Sequence, residues 1–287
     1  MTKIAIITDS NSGISQTQAT ILGIHILPMP FMINEDTYYE DITLSNQSFY
    51  EKLAEGADIS TSQPSPEAVT KLWDELLKEN DEIIHIPMSS GLSGSYETAY
   101  MLSKDYVDKV YVVNNQRISV TQRQSAMDAL ELVKNGKNAN EIKLILEEEK
   151  LNSSIYVMLN TLFYLKKGGR ITPTAAALGT ILKIKPVLQI QGDKLDAFAK
   201  ARTITQAKSI MINAIKNDIN NRFGGNSNNV HLEIAHTQNE TAAEVLKLEL
   251  LKEFPNSEIV IDHLSLSVAC HIGDGALAVA CSKKIIL

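Results

Sequence analysis

The sequence predicts an α/β protein of two α/β domains, the first of which contains a mainly parallel sheet. The chain has 287 residues, which is long enough for two ordinary domains. In its first half, short apolar runs rich in β-branched residues alternate with segments of helical periodicity. This alternation loosens after a strand predicted at Ile155 to Leu159. We therefore predict an N-terminal α/β domain over residues 1–156 and a C-terminal α/β domain over residues 157–287.

The first elements predict a strand, a helix and a second strand. Ile4 to Thr8 is a short apolar run, Gln16 to Leu22 fits a helix that Gly23 ends, and Ile24 to Pro28 is again apolar. Elements of these lengths in this order are typical of parallel strands connected by a helix. Asp9 follows the first strand, at the sheet edge where open α/β sheets bind ligands. A polar strand-to-helix connection explains Asp9 alone slightly better.

A second polar segment precedes the helix that starts near residue 66. Ser65 and Pro66 are explained as the cap and the first position of that helix. Thr61, Ser62 and Gln63 have no such structural explanation. They are candidates to bind a ligand through hydroxyl or amide groups, and a solvated loop accounts for them equally well.

The stretch from Asp81 to Lys104 carries the strongest local signal. Ile83 to Ile86 predicts a buried strand that Pro87 ends, and small residues from Ser89 to Ser95 lead into a helix. Backbone N–H groups at a helix start, with hydroxyls beside them, suit a phosphate or a carboxylate. Serines capping an ordinary strand-to-helix turn give the same pattern. The stretch has no Walker lysine, and it lacks the closing glycine of a nucleophile elbow.

The later segments predict further strands and helices, together with two unusual turns. An apolar segment, Thr180 to Ile190, is either core or the lining of an apolar channel. A basic turn with two glycines spans Leu165 to Ile171, and His271 precedes a Gly-x-Gly turn that leads into a strand. The remaining predicted strands are Val110–Val113, Leu195–Ala201, Val230–Ala235 and Glu258–Ile261, and the predicted helices are Val120–Val133, Ala139–Glu149, Ile204–Phe223 and Thr241–Phe254.

Composition excludes several classes of protein. Hydrophobic residues make up 44% and charged residues 21%, so a sizeable core is expected. The formal net charge of −7 disfavours nucleic-acid binding. The N-terminus lacks a signal-peptide pattern and no apolar run has the length of a membrane span, so we expect a cytoplasmic protein. Cys270 and Cys281 are expected to be buried thiols, and the six histidines lack metal-ligand spacing, so no metal is expected.

Six short motifs occur in order along nearly the whole chain, and together they resemble the DegV family, the FakB-type bacterial fatty-acid-binding proteins. One departure is that Asp274 stands where the family usually has proline and Ala278 where it has another glycine. The motifs are Thr8-Asp9-Ser10, Thr61-Ser62-Gln63-Pro64-Ser65, Ser89-Ser90-Gly91-Leu92-Ser93-Gly94-Ser95, Lys167-Gly168-Gly169-Arg170-Ile171, Lys185-Pro186-Val187-Leu188 and His271-x-Gly273-x-Gly275.

The resemblance implies two α/β domains with a lipid-binding tunnel between them. It also implies a non-enzymatic role: a long-chain fatty acid such as palmitate, stearate or oleate is bound without a cofactor. Its carboxyl is presented to a separate fatty acid kinase, which makes an acyl phosphate for phospholipid synthesis. A peripheral encounter with a membrane is compatible with this role. The implied ligand-binding residues are Thr61, Ser62, Ser93, Gly94 and His271, and the implied partner-contact residues are Arg170 and Arg202.

The chemistry of a fatty acid suits these residues. An acyl chain needs a mostly apolar pocket with a few polar groups at one end. A carboxylate taken out of water needs hydrogen bonds, which Thr61, Ser93 and His271 can supply. The alternative is an esterase or acyltransferase that uses Ser93 with His271. The mismatch with a nucleophile elbow and the lack of an evident third triad member favour the carrier.

Overall fold

The computed structural model describes residues 2–178 and 184–285, and contacts divide the chain into two units. The first unit comprises the described residues of Met1–Leu151, Ser265–Ser267 and Ile285–Leu287. The second comprises those of Asn152–Leu264 and Val268–Lys284. The boundary that we predicted between residues 156 and 157 falls inside a strand, Ser153–Met158, which the contacts group with the second unit.

The first unit contains strands and helices in the predicted alternation. Its strands are β1 (Ile4–Asp9), β2 (Ile24–Leu27), β3 (Phe31–Ile33), β4 (Asp36–Tyr38), β5 (Ile59–Thr61), β6 (Glu82–Ile86) and β7 (Val110–Val112). Its helices are α1 (Gln16–Leu22), α2 (Asn46–Ala54), α3 (Pro66–Leu76), α4 (Ser95–Leu102), α5 (Val120–Lys134) and α6 (Ala139–Glu148).

The main sheet of the first unit is parallel, as predicted. Its strand order is β2-β1-β6-β7, and each neighbouring pair is parallel. The strands are short apolar runs because both faces of the sheet are buried. On one face, Ile6, Ile24 and Ile84 contact buried residues of α1, α5 and α6. On the other, Ile7 and Ile83 contact Val69 and Trp73 of α3 and Ala99 of α4.

A second, smaller sheet in the first unit positions one of the polar segments. Strands β4, β3 and β5 form an antiparallel sheet in that order. Thr61 is the last residue of β5 and pairs with Phe31 of β3. Phe31 is fully buried and packs edge-to-face on Phe49 of α2, with ring centroids 5.6 Å apart. The position of Thr61 is therefore set by a strand that rests on an aromatic core.

The second unit also alternates strands and helices, but its sheet is mixed. Its strands are β8 (Ser153–Met158), β9 (Lys185–Ile190), β10 (Asp196–Ala201), β11 (Val230–His236), β12 (Ile259–His263) and β13 (Leu277–Lys283). Its helices are α7 (Phe163–Gly168), α8 (Pro173–Leu178), α9 (Ile204–Arg222), α10 (Glu240–Glu253) and α11 (Leu266–Ile272), whose first two residues group with the first unit.

The mixed sheet has the order β10-β9-β8-β13-β11-β12. Only the last pair, β11 with β12, is parallel, and β13 lies between β8 and β11 although it is last in the chain. Ala207, Met211 and Ile215 repeat at helical spacing on α9 and are completely buried against this sheet. Together with buried residues of α10, they form the core of the unit.

The basic turn and the apolar segment singled out in the sequence both contain regular structure. The basic turn at Leu165 to Ile171 is in part helical, because α7 runs to Gly168 and Gly169 ends it in the left-handed conformation, with φ 68°. Of the apolar segment Thr180 to Ile190, Lys185–Ile190 forms strand β9, and residues 179–183 lie outside the described residues.

The helices and the two cysteines can be compared with what composition led us to expect. Among residues 2–178 and 184–285, every helix is too short or too polar to cross a lipid bilayer. Cys270 and Cys281 are buried thiols, as expected for small apolar side chains in a core.

Candidate functional site

The carboxyl ends of β1 and β6 place two of the predicted polar segments at one edge of the parallel sheet. The two strands are direct neighbours, with Thr8 opposite Ile86. The chain leaves β1 toward β2 on one side, whereas β6 lies on the other side. This is the topological switch point at which open α/β sheets bind ligands. The first unit therefore places the loop from Ser89 to Ser95 where a ligand site is expected.

Asp9 anchors that loop from inside the unit. Its Oδ2 accepts a hydrogen bond from the Met88 backbone N–H at 2.7 Å, and its Oδ1 accepts from the Asn11 N–H at 3.0 Å. The Gln122 amide also donates to Oδ1, at 3.1 Å. Burial raises the pKa of Asp9 to about 6, although these hydrogen bonds act in the opposite direction. The contacts give Asp9 a structural role, which is the alternative that the sequence slightly favoured.

Ser93 lies at the start of α4, in a tight hydrogen-bonded turn. Its backbone N–H donates to the Ser89 carbonyl at 3.1 Å. Its hydroxyl lies 2.8 Å from the Ser95 hydroxyl and accepts a hydrogen bond from the Ser95 N–H at 3.2 Å. Gly94 is the N-cap of α4 and has no side chain to cap the helix. A half-buried serine hydroxyl therefore stands beside a helix N-terminus, which favours an anionic group.

The segment Thr61 to Gln63 contacts the same helix. Thr61 is half-buried, and Ser62 is exposed with its hydroxyl donating to the Gln63 carbonyl at 3.1 Å. The Gln63 amide donates to Thr98 Oγ1 at 2.8 Å. A Cβ atom on Gly94 would lie only 2.7 Å from Gln63 Oε1, so a larger residue there would displace the end of the Gln63 side chain. The structure thus brings the two loops together within the first unit through Gln63.

Gln63 is the residue whose role the sequence did not reveal. We considered it a candidate ligand amide, whereas its side chain connects the Thr61 segment to α4. Two features of the sequence pointed to Gln63: it belongs to the candidate segment from Thr61 to Gln63, and it matches the family motif. Its partner, Thr98, lies 35 residues further along the chain and could not be identified from local sequence.

In the second unit, His271 and the basic turn form one cluster. His271 is in the last turn of α11, and its ring lies directly over Gly168. A Cβ atom on Gly168 would overlap His271 Nδ1 and come within 2.8 Å of its Cε1, so only glycine leaves room for the ring. Arg170 Nη1 donates to the Gly168 carbonyl. His271 precedes the Gly-x-Gly turn, and the helix α11 holds it there.

The charge state of His271 follows from this cluster. Burial and, as a smaller cause, the nearby Arg170 guanidinium together lower the pKa of His271 to about 4. The imidazole is therefore neutral at neutral pH, with one N–H donor and one acceptor nitrogen. A neutral imidazole can donate a hydrogen bond to a carboxylate without burying a full positive charge.

The Gly-x-Gly turn after His271 is fixed by hydrogen bonds to its backbone. Gly273 and Gly275 have φ of 73° and 70°, in the left-handed region that favours glycine. The Asn160 amide donates to the Asp274 carbonyl at 3.3 Å, and the Asn239 amide donates to the Gly275 carbonyl at 3.0 Å. Asp274, which stands in place of the family's proline, is exposed.

Arg202 differs from Arg170 in its surroundings. It directly precedes Thr203, the N-cap of α9, and it is exposed. Its backbone N–H donates to Gln206 Oε1 at 2.8 Å. Arg170, in contrast, is half-buried beside His271. The two predicted partner-contact residues are therefore in different settings within the second unit.

The arrangement has the chemistry of a binding site for an anionic group. The hydroxyl of Ser93 contacts the hydroxyl and N–H of Ser95, and within the described part of the chain no imidazole hydrogen-bonds to it. Across residues 2–178 and 184–285, no group of three or more His, Cys, Asp or Glu side chains is placed to hold a metal ion.

Comparison with known proteins identifies the family. The model of the DegV family, described as a family of uncharacterised proteins, matches residues 3–284. Protein DegV of Bacillus subtilis is 31% identical over 280 residues, which cover 96% of this chain and 98% of the relative. A DegV domain-containing protein of Staphylococcus aureus is 30% identical over 284 residues, covering 99% and 100% of the two chains.

Two solved structures are similar over their whole length. The crystal structure of DegV from Bacillus subtilis, described as a fatty acid binding protein, has a TM-score of 0.86 and 30% identity, covering 99% of this chain and 100% of that one. A DegV family protein from Thermus thermophilus, whose structure is described by its fatty acid binding, has a TM-score of 0.90 and 26% identity, covering 98% and 100%. Sequence motifs, family model and whole-chain similarity agree, and the chain belongs to the DegV family.

Proposed function

We propose that this chain binds a long-chain fatty acid and presents the carboxyl group to a partner fatty acid kinase for acyl-phosphate formation. The observation that carries the first part is the whole-length similarity, at 30% identity and a TM-score of 0.86, to the fatty acid binding protein of Bacillus subtilis. The kinase partner rests on the family resemblance of the motifs. In this role the chain supplies a bound substrate and the kinase supplies the catalytic groups.

The first unit offers the hydroxyl groups for the carboxylate. In the proposal, Ser93 and Thr61 donate hydrogen bonds to it, and the N-terminus of α4 at Gly94 stabilises its negative charge. Ser62, exposed beside Thr61, contributes from the rim of the same loop. The connection between Gln63 and Thr98 supports this assignment because it holds both loops against one helix.

The second unit contributes the imidazole. In the proposal, neutral His271 donates the remaining hydrogen bond to the carboxylate. Its ring orientation is restricted by Gly168 beneath it, which suits a donor that must point in one direction. Each hydrogen bond to a charged group is worth about 1.5–3 kcal/mol. Together these groups hold a carboxylate without a fixed positive charge in direct contact with it.

Most of the binding energy comes from the acyl chain. Burying each CH₂ group is worth about 0.8 kcal/mol, so a sixteen-carbon chain offers roughly 10 kcal/mol before ordering costs. The hydroxyls and the imidazole therefore matter more for placing the carboxyl than for retaining the lipid. Displacing a reacting group by about 1 Å can cost about 100-fold in rate.

The first experiment tests for the ligand. Protein purified from a heterologous host is analysed by native mass spectrometry and by lipid extraction, and we expect a co-purified fatty acid. Delipidated protein should bind added palmitate or oleate. A protein that carries no lipid and binds neither acid contradicts the proposal. If the lipid-free protein hydrolyses an ester instead, the alternative hypothesis of an esterase or acyltransferase is correct.

The second experiment tests the site residues. Thr61→Val, Ser93→Ala and His271→Ala should each lower kinase-dependent phosphorylation more than they lower fatty-acid retention, measured on the same folded samples. Thr37→Val, Ser103→Ala and His231→Ala serve as matched controls outside the proposed site. If all three site variants are phosphorylated at the wild-type rate, the carboxylate lies elsewhere.

A further inference from the structure

A small internal cavity lies behind the Ser93 turn, within the first unit. Its polar lining residues are Asp9, His85, Ser95 and Thr98, and the rest of its wall is apolar or proline. Its volume is about 10 Å³, which is about what one water molecule needs. The cavity is lined both by β6, which carries His85, and by α4, which carries Ser95 and Thr98.

His85 is the residue that the proposed function leaves unexplained. It is 2% exposed, and both ring nitrogens are buried without a hydrogen-bond partner among the described residues. Burial lowers its pKa to about 3, so the ring is neutral, with one donor and one acceptor nitrogen. Trp73 packs edge-on against the ring at 5.7 Å between centroids, which fills its apolar side. A buried polar group of this kind is normally satisfied by protein or by ordered water.

The other polar groups around the cavity can complete the hydrogen bonds of a water. Thr98 Oγ1 accepts from the Gln63 amide at 2.8 Å, so the hydroxyl hydrogen of Thr98 is directed elsewhere. Asp9 already accepts three hydrogen bonds and retains further acceptor capacity. A buried water needs two to four such partners, and this cavity provides them.

The hydroxyl of Ser95 connects the cavity to the candidate carboxylate site. Either hydroxyl of the pair Ser93 and Ser95 can be the donor at their 2.8 Å contact. If Ser95 donates, Ser93 accepts from both the hydroxyl and the N–H of Ser95, and its own hydrogen is available for a ligand. If Ser93 donates to Ser95, it turns only lone pairs toward the ligand, which repel a carboxylate.

We propose that the cavity binds one water molecule hydrogen-bonded to His85 and Ser95, and that His85 thereby acts as a positioning residue for the Ser93 hydroxyl. The water donates to Ser95 Oγ, Ser95 donates to Ser93, and Ser93 donates to the ligand carboxylate. The water site stands on the cavity and the unpartnered imidazole alone. The positioning role rests on the proposed fatty-acid function.

The test of the water site is a crystal structure of the wild-type protein at a resolution that shows other buried waters. We expect a water within hydrogen-bonding distance of a His85 nitrogen and of Ser95 Oγ. A cavity without that water overturns the proposal. The ¹⁵N chemical shifts of His85 in the same protein should show one neutral tautomer with one nitrogen hydrogen-bonded, and shifts of a ring with neither nitrogen bonded contradict the proposal.

The test of the positioning role uses His85→Phe, which keeps the ring against Trp73 but removes both nitrogens. With ¹³C-carboxyl palmitate bound, we expect the titration midpoint of the carboxyl to rise by about one pH unit, because a donor to the ionised form is lost. Fatty-acid retention should fall less than about fivefold. His85→Gln, which restores a donor and an acceptor, should recover the wild-type midpoint. His25→Phe, on β2 and outside the cavity lining, is the matched control.

The outcomes separate this inference from the proposed function. An unchanged carboxyl midpoint in His85→Phe overturns the positioning role while palmitate binding stands. A wild-type protein that binds no palmitate refutes the proposed function, and the positioning role with it. The crystal structure and the ¹⁵N shifts decide the water site in either case, and they need no variant that could fail to fold.

Discussion

At the scale of single residues, Arg170 contributes to the lowered pKa of His271. The guanidinium lowers the pKa of the imidazole, and burial of the ring lowers it more. We expect Arg170→Ala to raise the pKa of His271 above its value of about 4, without reaching the usual 6.5, because the larger cause remains. Titration of the His271 ring signals by NMR, with both proteins at equal lipid content, measures the change.

Lys166→Ala is the matched control for this effect. Lys166 is an exposed cation in the same helix, α7, and it is not among the charges that act on His271. We expect it to leave the pKa of His271 unchanged. Equal pKa values in Arg170→Ala and the wild type would mean that burial alone keeps the ring neutral.

A second prediction at this scale concerns Asp9, whose pKa is raised, whereas that of His271 is lowered. Its folded-state pKa of about 6 lies above its usual 3.8, so its contribution to stability is present below pH 3.8 and is lost as the pH rises through 6. A pKa difference of about two corresponds to about 3 kcal/mol. Asp9→Asn is neutral throughout, so its stability relative to the wild type should improve by up to about 3 kcal/mol between pH 4 and pH 8.

The single tryptophan makes that measurement specific to the first unit. Trp73 is the only tryptophan in the chain, and it is completely buried in α3. Its fluorescence during urea unfolding at pH 4.5, 6 and 8 therefore reports this unit. Asp105→Asn, at an exposed site in the same unit, is the control. A stability difference that does not change with pH would show that Asp9 keeps the same charge in both states.

Single residues also show which parts of the candidate site can be predicted from local sequence. Thr61 could be identified as a candidate because it is not needed to cap a helix, and Ser93 because it stands in a small-residue turn that matches a family motif. The sequence slightly favoured a structural role for Asp9, but the partner could not be identified, because Met88 is 79 residues away and is contacted through a backbone N–H. The sequence predicts His85 only as part of a buried strand. That its ring nitrogens lack partners is evident only from the packing around it.

At the scale of elements, Gln63 and Gly94 couple the Thr61 loop to α4. Gly94→Ala places a Cβ atom 2.7 Å from Gln63 Oε1 and should displace the amide from Thr98. Gly94 has an ordinary φ of −72°, so alanine adds no backbone strain there. Loss of this hydrogen bond should cost about 1 kcal/mol. Thr98→Val removes the acceptor of the same bond and should cost a similar amount.

The two substitutions should be less than additive, because each breaks the same contact. Urea unfolding followed by Trp73 fluorescence gives the free energy of unfolding for both single variants and the double variant. Thr70→Val, on the neighbouring helix α3, controls for loss of a threonine hydroxyl. Strict additivity of Gly94→Ala and Thr98→Val would show that Gln63 does not join the two elements.

The elements that sequence reasoning missed are short. α7 and α11 have 6 and 7 residues, and α11 contains Val268 and Ile272, which do not favour helices. Helices of this length gain little from propensity and depend on packing. In α7 the stabilising features are the buried Leu165 and the left-handed Gly169 that ends it. The long helices α5 and α9 were predictable because their apolar residues repeat over several turns.

At the scale of the whole molecule, the parallel sheet of the first unit could be predicted and the mixed sheet of the second could not. In the first unit the parallel strands β1, β6 and β7 are each followed along the chain by a helix, so local order shows the architecture. In the second, β13 pairs with β8 and β11 from the end of the chain. No local pattern at Leu277 to Lys283 indicates which strands will flank it.

The charge of the whole chain leads to the last prediction. In a chain of net charge −7, Arg202 is an exposed arginine, and in the proposed function the carboxylate is bound by His271 and hydroxyls without it. We expect Arg202→Ala to slow kinase-dependent phosphorylation severalfold while fatty-acid retention stays at the wild-type level. The effect should shrink as salt rises, because an exposed charge contact is screened. Lys252→Ala, at the far end of α10, should change neither quantity. Loss of fatty-acid affinity with normal phosphorylation of what remains bound would assign Arg202 to the ligand instead of the kinase.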